Sequence, residues 1–194
     1  MKYDKPFLRK KSLLLRKKKY LTVKKFNYNL IFRIIRRHFH SKKITIGGYY
    51  PSNYEVNILK FIEKASKKKF KITLPVINSS NKMSFKSWVF KEPLYVNKFG
   101  ILEPKNSKKK IIPDLIMVPL VAFDSRLNRI GYGKGYYDRS LNKISKIKKN
   151  VISIGIAYSF QKCKKIPVNK HDFKLDYIFT EKGIINSNYR LWTF

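Results

Sequence analysis

The apolar run Leu115–Val121 constrains the fold of this chain more than any other stretch. It is short and almost uninterrupted, bounded by Pro113-Asp114 and Phe123-Asp124, with Pro119 near its end. A run of that length and continuity reads as a strand buried at the centre of a sheet. Val151–Tyr158 has the same character, and Asp138–Ile147, between the two, is spaced like a helix. The same rhythm occurs earlier. Lys43–Tyr50 reads as a short strand, Pro51-Ser52-Asn53 as a turn, and Ile58, Leu59 and Ile62 as the inner face of a helix ending in lysines 67–69. Phe70–Val76 is the next strand. Strand, helix, strand repeated along a chain is the pattern of a parallel sheet. The expected fold is α/β, a three-layer α/β/α arrangement around a central, mostly parallel sheet, with residues 1–194 forming one domain.

Two amphipathic stretches precede this core, Lys5–Lys19 with Leu8, Leu14 and Leu15, and Asn27–His40 with Leu30, Ile31, Ile34 and Ile35; both read as helices. Lys82–Trp88 alternates weakly and reads as a further strand or an active-site loop. Phe99–Pro104 is an extended turn, and Tyr177–Thr180 a last short strand. No apolar segment follows the first charges, which argues against a secretory signal, although the basic, acid-poor start has the composition of an organelle leader.

Charge raises a competing expectation. Lys and Arg number 45 against 11 Asp and Glu, a formal charge of +34. Phosphate contacts and counterion release make such a chain a candidate for nucleic-acid binding. Only 9 of the 45 are arginine, the better bidentate reader of phosphates and base edges. The lysines sit in short runs, 17–19, 67–69, 108–110 and 148–149, near expected element ends and polar loops. They accompany an excess of Ile, Asn, Tyr and Phe and only three alanines, the mark of a background bias acting on tolerant surface positions. Hydrophobic residues make up 43% of the chain, which excludes disorder through apolar poverty. Cys163 is the single cysteine, which excludes a disulfide scaffold and a multi-thiolate zinc site and fits a reducing cytoplasmic setting. No uncharged apolar run approaches the roughly 20 residues of a membrane span. Scarcity makes each acid more informative than usual.

Chemistry concentrates in Arg129-Ile130-Gly131-Tyr132-Gly133-Lys134-Gly135-Tyr136-Tyr137-Asp138. Alternating glycines after a buried strand expose backbone N–H groups in a concave nest suited to phosphate oxygens. Lys134 can meet a terminal phosphate, Arg129 can brace the loop, and Asp138 can serve a magnesium ion directly or through water. The alternative is a glycine-rich surface hairpin packed by tyrosines. Asp172 is a second candidate ligand for magnesium, or an N-cap. The neighbouring His171 reads as a base or, more simply, as a surface histidine. Glu55 can accept hydrogen bonds from a heterocycle's N–H groups, or is a first-turn helix carboxylate. Trp88 and Phe85 can wall a planar ligand, or pack in the core.

The block from Pro113 to Asp124 followed by Arg129–Asp138 resembles the signature of the 5-formyltetrahydrofolate cyclo-ligase family, also called 5,10-methenyltetrahydrofolate synthetases. The resemblance extends to the basic N-terminal helix, Glu55-Val56, Phe99-Gly100-Ile101 with Glu103-Pro104, and the tail from Gln161 through Pro167, His171-Asp172, Asp176 and Thr180-Glu181. It implies ATP-dependent closure of 5-formyltetrahydrofolate to 5,10-methenyltetrahydrofolate, with ATP and Mg2+ as cofactors. It assigns Lys5, Arg9, Arg129, Lys134 and the glycines Gly131, Gly133 and Gly135 to the phosphates. Tyr132, Tyr136 and Tyr137 complete the nucleotide side, and Asp138 and Asp172 serve the metal. Tyr50, Glu55, Trp88 and Tyr137 would meet the reduced folate; Lys134, Arg129 and Tyr137 would be catalytic. The partner expected is a small reduced folate, with or without a polyglutamate tail, met by a cytoplasmic monomer with neither a membrane nor a specific nucleic-acid partner. Three positions depart from the family pattern, Leu120 where glycine is common and Asn57-Ile58 where Asp-Thr is usual, and Lys134 stands where relatives have glycine or lysine. They leave open a relative that binds ATP without turnover.

Overall fold

The computed structural model describes residues 4–186 apart from positions 24, 41, 79, 81, 106 and 107. The chain runs through α1 (Lys5–Lys19), α2 (Asn29–Phe39), β1 (Thr45–Gly47), α3 (Leu59–Lys67), β2 (Lys71–Ile77), β3 (Met83–Ser87), β4 (Tyr95–Val96), β5 (Leu102–Glu103), β6 (Leu115–Pro119), β7 (Ala122–Phe123), β8 (Arg129–Ile130), α4 (Tyr136–Ile147), β9 (Ile152–Ile156), β10 (Tyr177–Thr180) and β11 (Gly183–Asn186). Seven strands form one sheet in the order β11-β10-β9-β6-β1-β2-β3. The inner pairings are parallel, and β3 and β11 close the two edges antiparallel. This is the mostly parallel sheet that the strand-helix-strand rhythm implies.

Successive side chains of a strand face opposite ways, and β6 shows it. Leu115 and Met117 join the core beneath α2 and α3, with Ile31, Ile34, Phe61 and Ile62. Ile116 and Val118 join the opposite core with Leu141 and Ile144 of α4. Both faces are covered, giving three layers.

Lys82–Trp88 resolves into a strand, β3, paired with β2 from Thr73↔Ser87 to Ile77↔Met83. β1 is shorter than Lys43–Tyr50, and Gly48 beyond it still donates to the Thr73 carbonyl at 2.8 Å. Both glycines are closely packed, a Cβ on Gly47 standing 2.9 Å from the Phe85 ring and one on Gly48 3.0 Å from Ile62 Cδ1. The hairpins β4–β5 and β7–β8 and the edge strand β11 were not expected from the sequence.

The lysine runs lie where solvated charge belongs. Those at 17–19 and 67–69 end α1 and α3, and Lys148 follows α4. Positive charge there complements the helix dipole. Most acids, by contrast, serve the scaffold. Asp114, preceding β6, accepts the Thr45 N–H of β1 at 2.7 Å and pairs with Lys148. Asp176, preceding β10, accepts the Ser153 N–H of β9 at 2.8 Å and its hydroxyl at 2.6 Å. Asp124, 1% exposed, accepts the N–H groups of Arg126, Asn128 and Ile166. Scarcity alone therefore does not mark a functional carboxylate.

Candidate functional site

The strand order reverses between β1 and β6. After β1 the chain moves outward to β2 and β3; it then returns to β6 on the other flank and continues to β9 and β10. Open α/β sheets bind ligands in the crevice outside the carboxyl ends of the strands at such a point. Here the segment after β1 carries Tyr50 and Glu55. The segment after β6 carries Leu120, the β7–β8 hairpin and the glycine loop leading into α4.

Helix α1 lies across this crevice, packed on β7 and β8. Asp4 caps it by accepting the Phe7 N–H at 2.9 Å. One stripe of the helix faces the site. Lys5 Nζ meets Asp172 Oδ2 at 2.5 Å, and Arg9 Nε donates to the Gly131 carbonyl at 2.8 Å. Arg16 Nη1 reaches the Leu120 carbonyl at 3.2 Å, and its Nη2 the Tyr132 hydroxyl at 2.5 Å. With about 1.5 Å of rise per residue, the three cations are spread over about 16 Å along the helix.

In the loop, Gly133 and Gly135 take φ values of +96° and +65°, a backbone that side chains rarely adopt. The space above Gly133 holds the Arg9 guanidinium, 3.3 Å from where a Cβ would stand. Lys134 is exposed at the loop tip. α4 begins directly after Gly135, so its unpaired N–H groups adjoin the nest, which is anion-binding geometry. The loop thus runs from β8 into a helix N-terminus rather than turning back as a hairpin, with Arg9 above it.

Arg129 is nearly buried beneath the loop. It donates to Asp138 Oδ1 at 2.6 Å and to the Phe173 carbonyl at 2.5 Å. Burial pulls its pKa down, while the Asp138 carboxylate pushes back up. Asp138 Oδ1 also accepts the Phe173 N–H, and Asp172 Oδ2 also accepts the Asn169 N–H. Each carboxylate thus makes its hydrogen bonds through one oxygen, at the site's edge. No group of three or more His, Cys, Asp or Glu side chains able to hold a metal exists among the described residues. Asp138 and Asp172 are each ion-paired, with Arg129 and Lys5, and each has a second carboxylate oxygen of the hard-donor type that magnesium takes.

Glu55 is buried at 9% exposure. Its Oε2 accepts the Ser52 N–H at 2.9 Å and its Oε1 accepts the Tyr132 hydroxyl at 2.9 Å, so the hydroxyl of Tyr132, expected on the nucleotide side, faces Glu55 and Arg16 instead. Burial raises its pKa, opposed by the Ser52 N–H, by Tyr132 and by the Arg16 charge. Tyr50 is half-buried in the same turn. The Tyr137 hydroxyl is buried without a partner, and burial and the Glu55 charge raise its pKa. Tyr136 lies at the rim with Arg139 over its ring at 5.4 Å.

Trp88 packs as a core residue, 5% exposed, with its Nε1 on the Glu92 carbonyl at 3.0 Å and its ring edge-on to Phe90. An aromatic ring at the rim comes instead from Phe99, 42% exposed and 6.1 Å from Tyr136. Sequence reasoning missed that ring, although it opens the Phe99-Gly100-Ile101 segment. It also missed Arg16, which shares the helical stripe of Lys5 and Arg9. Leu120 turns its side chain into the core, where its Cδ2 lies 2.7 Å from the Cβ position of Gly155; only its carbonyl faces Arg16. Asn57 accepts the Leu59 N–H at 3.0 Å and starts α3. Neither departure intrudes on the crevice.

The sequence model of the 5-formyltetrahydrofolate cyclo-ligase family matches residues 1–181. The chain is 32% identical over 136 residues to the 5-formyltetrahydrofolate cyclo-ligase of Haemophilus influenzae, covering 67% of this chain and 72% of that one. The NMR structure of Aquifex aeolicus 5,10-methenyltetrahydrofolate synthetase superposes with a TM-score of 0.70 at 29% identity, over 94% of this chain and 92% of that one. A 5,10-methenyltetrahydrofolate synthetase from Mycoplasma pneumoniae gives 0.65 at 25% identity, over 95% and 99%.

Proposed function

The chain belongs to the 5-formyltetrahydrofolate cyclo-ligase family, and from that premise we propose that it closes 5-formyltetrahydrofolate to 5,10-methenyltetrahydrofolate at the expense of ATP. The observation that supports this most directly is the positive-φ glycine nest at the N-terminus of α4, overhung by Arg9 and placed at the sheet's switch point opposite buried Glu55. One side of the crevice suits phosphates and the other a heterocycle with N–H groups.

The chemistry asks little of the protein beyond alignment and charge. The N5-formyl group is amide-like, and its oxygen is a poor leaving group. That oxygen attacks the γ-phosphorus, ADP leaves, and an imidate phosphate results. N10 of the same molecule then attacks the activated carbon and loses its proton as phosphate departs. Intramolecular attack needs only correct orientation. The loop N–H groups, Lys134 and Arg9 take up charge on the transferred phosphoryl group, the main protein contribution in such transfers. Lys5 extends the cationic rim, while buried Arg129 holds the loop and the start of α4 in place. Glu55 accepts from the reduced pterin, with Tyr50 beside it and Tyr137 between the two substrates. Asp138 and Asp172 would hold magnesium, which supplies charge neutralisation on the phosphates.

Purified protein is expected to form 5,10-methenyltetrahydrofolate, read by its absorbance, only when ATP and magnesium are both present. Folded protein that binds ATP and yields no product would refute the activity and favour a catalytically impaired relative.

A further inference from the structure

Arg16 stands apart from the other cations of α1. It is 1% exposed, whereas Lys5 keeps 22% of its side chain in solvent. Its Nε is buried with no hydrogen-bond partner. An orphaned buried donor destabilises the fold, and a helix docked for packing alone would carry an apolar residue here. The two nitrogens that are bonded reach two different walls of the crevice. Nη1 holds the Leu120 carbonyl at the end of β6. Nη2 holds the Tyr132 hydroxyl, which donates its own hydrogen bond to Glu55 Oε1 in the segment after β1.

We infer that Arg16 is a positioning residue for the heterocycle side of the site, acting through Tyr132 to fix Glu55 as an oriented hydrogen-bond acceptor. This rests on the proposed folate reaction for its substrate but not for its geometry. The order of donation settles the roles. Arg16 can only donate, so the Tyr132 oxygen accepts from it and the phenolic proton is left for Glu55. A hydroxyl that accepts from a cation is a stronger donor, and the carboxylate at the end of the relay is held in one rotamer. The titratable groups around Glu55 are Arg16 from α1, Tyr132 from the loop, Tyr137 from α4, Tyr49 after β1 and Tyr158 after β9. Arg16 is the single cation among them, and the tyrosines add burial rather than positive charge.

Tyr132→Phe breaks the relay while keeping the ring and leaving Arg16 on Leu120. Its kcat/KM for the reduced folate is expected to fall about tenfold, the loss of one charge-assisted hydrogen bond, with KM for ATP unchanged within about twofold. Arg16→Met should show the same split and Arg16→Lys should recover part of it. A readout independent of turnover is the carboxyl 13C titration of the five glutamates, with the Glu55→Gln variant identifying the Glu55 signal. In Tyr132→Phe the Glu55 midpoint should move up. If KM for ATP rises as much as that for folate, or if the Glu55 midpoint stays where it is, the relay is refuted and Arg16 is only a helix anchor. Wild-type protein without cyclisation activity would overturn the reaction, while the shifted carboxyl titration would still support the relay.

Discussion

Gly133→Ala tests the phosphate nest most directly, because the structure provides both its cost and its control. At φ +96° an alanine is strained by about 1–3 kcal/mol. Its Cβ would also stand 3.3 Å from Arg9 Cζ, and Arg9 is tethered by its 2.8 Å bond to the Gly131 carbonyl. Two responses are open to the loop. If it keeps its shape, the strain lowers Tm by roughly 2–4 °C per kcal/mol for a chain of this size. If it relaxes, Gly133 turns its N–H away and Arg9 shifts, and the nest loses a donor and a cation. In the second case KM for ATP should rise about tenfold, close to 1.4 kcal/mol per decade, while KM for the reduced folate stays near that of wild type. Gly131→Ala is the stability control, since a Cβ there meets nothing within 4 Å, and its Tm should not move. Initial rates with each substrate varied in turn, alongside thermal melts, separate these outcomes. An alanine at 133 that leaves both Tm and KM for ATP unchanged, or raises only KM for folate, would refute the assignment of this loop to phosphates.

Lys134→Ala should cut turnover by about two orders of magnitude and leave the melt unchanged, because the side chain is exposed and its proposed work is on transition-state charge. Gly155→Ala would bring a Cβ to 2.6–2.7 Å from Ile178, Leu120 and Leu175 and should destabilise by about 1–3 kcal/mol. Combined with Leu120→Ala, it should cost less than the two single changes added, as measured by denaturant unfolding, because each substitution relieves the other's misfit. Burial raises the Glu55 pKa, so as pH falls through that raised value the carboxylate is protonated and lost as an acceptor. The kcat/KM for folate should therefore decline on the acid side earlier than an ordinary carboxylate would dictate, and Glu55→Gln should abolish that limb. Linkage has the matching sign: the folded state binds this proton more tightly than the unfolded chain, so the group destabilises the fold above the raised pKa, and this is relieved progressively as pH falls from there to the ordinary carboxylate value.

Much of the fold was legible because its central strands are dry on both sides. Leu115–Pro119 and Ile152–Ile156 announce themselves as apolar runs, and the helices by their spacing. The hairpins β4–β5 and β7–β8 were illegible because a two-residue strand has no period to detect, and β11 because Gly183–Asn186 is four residues beyond a tight turn. At the site, the glycine loop was visible since its conformational demand is written in residue type. Arg16 was not, being one basic residue before a lysine run, distinguished only by burial that three-dimensional packing confers. Trp88 shows the converse: an aromatic beside a site is identified by sequence, but its 5% exposure is decided by Phe90 and the Glu92 turn. The acids were a mixed guide, since Asp114, Asp124 and Asp176 tie strands and turns together.

The docking of α1 places Lys5, Arg9 and Arg16 on an element whose one fully buried apolar side chain is Leu8, with Leu13 packed beside it on the β7–β8 side. Polar contacts to Asp172, Gly131, Leu120 and Tyr132 complete its attachment, and each lies around the candidate site. Such a helix opens at a lower free energy than the sheet beneath it. Occupancy of the crevice and closure of the helix are then two readings of one equilibrium: a ligand bound only to the closed form protects the helix by about 2.7 kcal/mol at a hundred times its dissociation constant. Amide hydrogens of residues 5–19 would exchange in the absence of ligand well before those of β6 and slow markedly when nucleotide is added. The enzyme would thus meet its substrates with a latch that the substrates themselves fasten.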